Sequence, residues 1–333
     1  MSQSSTAPPE IGRKRPPAAT RTAGWFGSVA AGANVGTWSV LAAAVLWGTT
    51  GTAATFAPRG SSPLAIGAAA MGIGGIAMFL GSRRAALRLI TTGVGGRALW
   101  LGAGFIVVYP LAFYTSMSDA GVAIGVTLSI GSAPIAAALI ERFRHGRHRS
   151  RGWAATVAVA VVGATLLGTG QADFGHRSAL QQLTGVILAL VAGCAYAGYS
   201  VAASEINSRG AGSRATVGAL FGLASLVLIP VLLITGSTLI ASTRGILVAG
   251  YLGLIPMTLG YVLFGHGLRT ATASHATALS LLEPAVAAVL ADLIADQHLS
   301  RLGWLGIGLA VASVLLQTRS FDSGTRRPRA PTP

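Results

Sequence analysis

The 333 residues are 52% hydrophobic and 10% charged, where a soluble domain carries roughly 25% charged residues, so water is not the main solvent of this chain. Twenty-four Lys and Arg against nine Asp and Glu leave a net charge of +15. The basic residues sit in short gaps between apolar stretches and form no stripe with interleaved aromatics, which argues for membrane topology and against a nucleic-acid partner.

Residues 1–35 are rich in Ser, Pro, Ala and Gly, with a basic cluster at Arg13, Lys14, Arg15 and Arg21, and read as a disordered arm. The first apolar segment lies too far from Met1 for a cleaved secretory signal. Ten apolar segments follow, at 37–57, 62–81, 98–117, 120–141, 152–170, 183–204, 214–235, 245–268, 273–293 and 302–318. At a rise of about 1.5 Å per residue, segments of about 20 residues cross a hydrocarbon core about 30 Å thick. They are twice the length that a membrane strand needs and show no alternation, so helices are expected. Small residues inside them, as in GVAIG (121–125) and GALFG (218–222), let backbones approach closely. Residues 319–333 read as a basic, disordered tail.

Counted over this ten-span arrangement, Lys and Arg divide twenty to four between the two sides. That asymmetry places both termini and the Arg-rich 141–151 loop in the cytoplasm. Shifting residues 112–140 by 150 sets Ala123 on Ala273, Thr127 on Thr277, Pro134 on Pro284, Ala137 and Ala138 on Ala287 and Ala288, and the same shift sets Arg151 on Arg301. The expected fold class is an all-α integral membrane protein of ten transmembrane helices in two five-helix repeats, 36–170 and 183–318. Because five is odd, the repeats enter the membrane from opposite sides, an arrangement that binds substrate near the midplane at the repeat interface.

Ionisable groups inside the bilayer are costly and are functional candidates by default. Glu283 lies near mid-depth in the ninth span, and Pro284 behind it frees a backbone carbonyl. It is a candidate proton carrier or, ionised, a counter-charge for a cationic substrate; the alternative is a structural carboxyl hydrogen-bonded to a neighbouring helix. His266, at the cytoplasmic end of the eighth span, and His275 are secondary candidates. Arg269 is expected at the interface, and Asp119, Asp173, Asp292 and Asp296 near the outer face. Trp47 and Thr50 share a face of the first span, and Tyr196, Tyr199 and Ser200 a face of the sixth. Tyr251, Thr258 and Tyr261 in the eighth span and Tyr109 and Tyr114 in the third add aromatic surface with a polar tip. With Ser129, Ser132 and Ser280 they are expected to line a central cavity. Cys194 stands alone in an apolar run, which leaves no intrachain disulfide or thiolate metal site. No HExxH, G-x-S-x-G or GxxxxGK[ST] motif occurs, so neither a cofactor nor a catalytic centre is expected.

LAAAVLWGTTGT (41–52), SIGSAPIAAALIERF (129–143), LSLLEPAVAAVLADLI (279–294) and LSRLGWLGIGLAVASVLL (299–316) resemble the drug/metabolite transporter superfamily, and within it the ten-helix family with two EamA domains. The likeness covers residues 37–318. It implies an exporter or exchanger of amino acids, other metabolites or drugs, often driven by protons, in a bacterial cytoplasmic membrane. The chain departs from the family at Asp296 and Gln297, where a Gly-Glu pair is common. The expected partners are a small-molecule substrate, lipid and protons, with homodimer formation left open. The competing readings are a lipid-linked sugar flippase, an intramembrane enzyme and a non-transporting receptor.

Overall fold

The structure is a computed structural model that describes residues 19–120, 122–146, 150–169, 178–294 and 300–325. Among these residues every regular element is a helix. They are α1 (Ala19–Thr55), α2 (Pro63–Gly81), α3 (Arg83–Thr91), α4 (Gly96–Ala120), α5 (Val122–His145), α6 (Arg151–Thr169), α7 (Ala179–Ser208) and α8 (Ser213–Thr235). A short α9 (Ser237–Ile240) leads to α10 (Thr243–Leu252), which runs through a π-helical segment, Gly253–Leu259, into α11 (Gly260–Gly267). Then come α12 (Ala273–Leu279), α13 (Leu282–Ile294) and α14 (Arg301–Thr325).

Two boundaries differ from expectation. Helix α1 begins at Ala19, inside the stretch read as a disordered arm. Beyond Pro17 that stretch is rich in Ala and holds no proline to stop a helix. Helix α14 runs on to Thr325, past the expected end of the last span. Among the described residues seven helical units are long and apolar enough to cross a membrane: α2, α4, α5, α7, α8, the α10–α11 unit and the α12–α13 unit. The first, fifth and tenth expected spans are not among these seven: Trp38, Ser39, Thr49, Thr50, Thr52 and Thr55 dilute α1, while over the residues whose side chains are described α6 and α14 are apolar along Arg151–Leu166 and Arg301–Leu316.

The interior is built mostly from Ala and Gly, while Leu226, Leu233, Ile234 and Leu247 point outward. That inversion of a soluble core suits a lipid exterior, which supplies no hydrophobic drive between helices and leaves close backbone packing to hold them. The principal pairings are α4 along α7, α2 along α8, α6 along α14, α5 along α7, and α1 against both α11 and α13. Gly75 marks the α2–α8 crossing: a Cβ there would lie 2.5 Å from the Phe221 carbonyl oxygen and on top of the Ser225 hydroxyl. Ser225 Oγ donates across this crossing to Gly72 O at 3.0 Å.

One end of the bundle carries a paired charge cluster. Arg209 donates to the carbonyls of Val94 and Gly95 and to Glu205, and Glu205 also pairs with Arg144 at 3.1 Å. The segments before α4, at the end of α5 and at the end of α7 therefore meet there. The short helix α3 sits at the same end with Ala86 and Leu89 buried and Arg83, Arg84 and Arg88 exposed. At the opposite end Arg244 Nε donates to Phe56 O at 2.6 Å.

Candidate functional site

The ninth expected span is not one helix. It breaks at Ser280 and Leu281 into α12 and α13, and Glu283 stands in the first turn of the second piece. Pro284 has no N–H to give to the Ser280 carbonyl one turn back. The Glu283 N–H takes that carbonyl instead, at 2.9 Å. A broken helix at membrane depth is tolerated where it is buried in protein or lines a cavity, and Glu283 does line one.

The cavity is open on one side, and its roughly 410 Å³ of non-atom space includes open solvent. Trp47 and Thr50 enter it from α1, Ala70 and Met71 from α2, Tyr109, Phe113 and Tyr114 from α4, Tyr196 from α7, Met257 from the π-helical segment and Tyr261 from α11. Its walls are therefore aromatic and apolar, with one carboxyl. The rings form a continuous set: Trp47 lies 4.8 Å from Tyr261 and 6.1 Å from Tyr196 between centroids, and Tyr196 lies 5.6 Å from Tyr109. Pro256 prevents a regular ladder in the eighth span, and the resulting π-helical turn carries Met257 to the wall.

Of the residues expected at a central cavity, Trp47, Thr50, Tyr109, Tyr114, Tyr196, Tyr261 and Glu283 line this one. Ser280 stands one layer behind, accepting from Tyr196 Oη at 3.1 Å and donating to Thr277 O at 2.8 Å. Tyr199 is buried among Phe221, Tyr261 and Phe264, away from the cavity wall, and its hydroxyl has no hydrogen-bond partner among the described residues. Ser132 lies where α5 crosses α7, so close to Gly193 that a Cβ there would overlap its hydroxyl. His266 is exposed and does not line the cavity. Asp173 and Asp296, expected near the outer face, and Gln297 lie outside the described residues.

Several polar groups are already committed. Thr50 Oγ1 donates to Trp47 O at 2.7 Å, so only its lone pairs remain for a ligand. The indole N–H of Trp47, by contrast, is buried with no acceptor among the described residues. Among the described residues nothing hydrogen-bonds the Glu283 carboxyl, as a purely structural glutamate would require.

Sequence reasoning missed Glu141. It is 3% exposed at the charged end of α5. Its carboxylate accepts from Ser274 Oγ at 2.7 Å and Ser274 N–H at 3.3 Å, in the first turn of α12. It sits in an Arg-rich run that reads as a solvated loop, so only the hydroxyl opening α12 could have signalled a partner.

The sequence model of the EamA-like transporter family matches residues 183–319. The chain is 35% identical over 288 residues to "Uncharacterized transporter YwfM" of Bacillus subtilis (strain 168), covering 85% of this chain and 93% of that one. It also superposes on a crystal structure of a protein with a TM-score of 0.69 at 18% identity, covering 86% of this chain and 96% of the other. That likeness concerns the fold alone.

Proposed function

From the premise that the chain belongs to the EamA-like transporter family and is a membrane transporter of the drug/metabolite type, we propose that it is a secondary active carrier. It exports or exchanges small metabolites, amino acids or drugs across the bacterial cytoplasmic membrane by alternating access, coupled to protons. The observation that carries this reading is the placement of Glu283: a carboxyl with no hydrogen-bond partner among the described residues, on a broken helix, facing a cavity lined by helices from both halves of the chain.

The reading takes the helices as ten spans in two inverted five-helix repeats, with both termini cytoplasmic. Numbering the spans in order, the pairings α2–α8 and α6–α14 each join a span to its counterpart five places on. Exchanging every span for its counterpart turns α4–α7 into the contact of α11 with α1, and α5–α7 into the contact of α13 with α1. A contact set that maps onto itself in this way supports a two-fold relation between the halves. Rocking one half against the other would then expose Glu283 to each side in turn.

An intramembrane enzyme would need a second acid or base beside Glu283, and His266 is exposed and off the cavity wall. Counterflow in proteoliposomes holding the purified full chain tests the transport reading. A preloaded solute should accelerate entry of its labelled form above protein-free vesicles, and a broad solute panel without any such acceleration overturns it.

A further inference from the structure

The chemistry of the cavity wall narrows what the carrier takes. The lining supplies one carboxyl, from Glu283, and among the described lining residues no Arg, Lys or His. An anionic solute would meet an uncompensated carboxylate in a site largely removed from water. A zwitterion would bring a second carboxylate with no cationic partner, and the positive end of the α13 dipole already carries Glu283 in its first turn. A monocation is the charge that leaves the ionised site neutral.

The aromatic groups favour the same charge. Trp47, Tyr109, Tyr196 and Tyr261 stand in one connected set, with successive centroids between 4.8 and 6.1 Å apart, and a cation within about 6 Å of such faces is attracted by their quadrupoles. Phe113, Met71 and Met257 supply the apolar surface that an organic body needs.

Resting on the transport reading above, we propose that the substrate is an organic monocation with an apolar body, an aryl or alkyl ammonium, held by Glu283 and the aromatic wall. The test uses purified full-length protein and labelled phenyltrimethylammonium. Its competitors are tert-butylbenzene, an uncharged molecule of the same shape, then benzenesulfonate for an anion and phenylalanine for a zwitterion. The cation should bind at least tenfold more tightly than each competitor. Glu283→Gln, matched for monodisperse yield, should weaken it at least tenfold, and Trp47→Leu should weaken it several-fold. Equal competition by the neutral isostere, the anion or the zwitterion overturns the proposal on the wild-type protein alone, so it does not depend on how the variants fold. Counterflow separates the two failures. If wild-type vesicles exchange a neutral or anionic solute but not the cation, the carrier reading stands and the cation proposal falls. If they exchange nothing, the carrier reading falls and the proposal with it.

Discussion

Replacing Glu283 by Gln removes the one carboxyl on the cavity wall while keeping its size and polarity. If that carboxyl carries the coupling proton, one group sets a stoichiometry of one proton per solute. A gradient of one pH unit then sustains about a tenfold solute ratio across the membrane, since about 1.4 kcal/mol corresponds to a factor of ten. In proteoliposomes at equal inserted amounts, wild type should approach that ratio. Glu283→Gln should stay near unity, because an amide does not titrate. Glu283→Asp keeps a titrating group on a shorter stem and should retain the ratio with a slower approach to it. A Gln variant that still accumulates solute about tenfold refutes the proton-carrier role. A Gln variant that fails to insert, beside an Asp variant that inserts and couples, would locate the defect in folding.

Three further outcomes follow from the packing and the charged end. Gly75→Ala puts a methyl against the Phe221 carbonyl oxygen at 2.5 Å and should destabilise the protein by about 1–3 kcal/mol, read as a lower Tm in detergent; an unchanged Tm means that α2 and α8 are not held this closely. Glu141→Ala strips the acceptor from the buried Ser274 N–H and hydroxyl, a loss of about 1.5–3 kcal/mol for hydrogen bonds to a charged group. Thermal unfolding measures it, and a change below about 0.5 kcal/mol would count against a charged, desolvated contact. Fusions of alkaline phosphatase and of a fluorescent protein after Arg147 should be inactive and fluorescent respectively, and phosphatase activity at that position refutes the cytoplasmic assignment of the loop.

The sequence revealed helices better than it revealed their interruptions. Apolar length marked helices because backbone groups in hydrocarbon must bond within their own segment, and among the described residues seven of the ten expected spans are helical units long and apolar enough to cross a membrane. Breaks leave a fainter one. Pro284 and Pro256 were visible in the chain, yet Pro110, Pro134 and Pro230 lie inside helices that continue through them. A proline in the chain therefore does not by itself say whether its helix breaks. The same limit explains Tyr199, which shares a helix face with Tyr196 but packs one turn deeper, against Phe221 and Phe264. Helical periodicity gives the face and not the depth.

The two buried carboxyls show why one half of the charged chemistry was easier to read than the other. Glu283 stands alone in an apolar run, so its cost in the bilayer marks it without any knowledge of its neighbours. Glu141 stands beside Arg142 and Arg144, and a charge among charges looks solvated. Its burial depends on α12 arriving from the other half of the chain with a hydroxyl and a free N–H at its first turn, where an anion is favoured. The same geometry gives Glu141 a mechanical consequence. It ties α5 to α12 at the charged end, and those helices fall in the fourth and ninth expected spans, one in each half of the chain. If the halves rock about the Glu283 cavity, the Glu141 contact is one that must lengthen whenever the cavity opens toward the charged end, so weakening it should favour that opening. In a membrane preparation of protein carrying Cys194→Ser, which removes the native exposed thiol, a cysteine-reactive probe applied to a Ser280→Cys variant from the charged end should then label faster when Glu141 is also replaced by Ala. Equal labelling rates in the two backgrounds would mean that this contact holds the fold without gating the cavity.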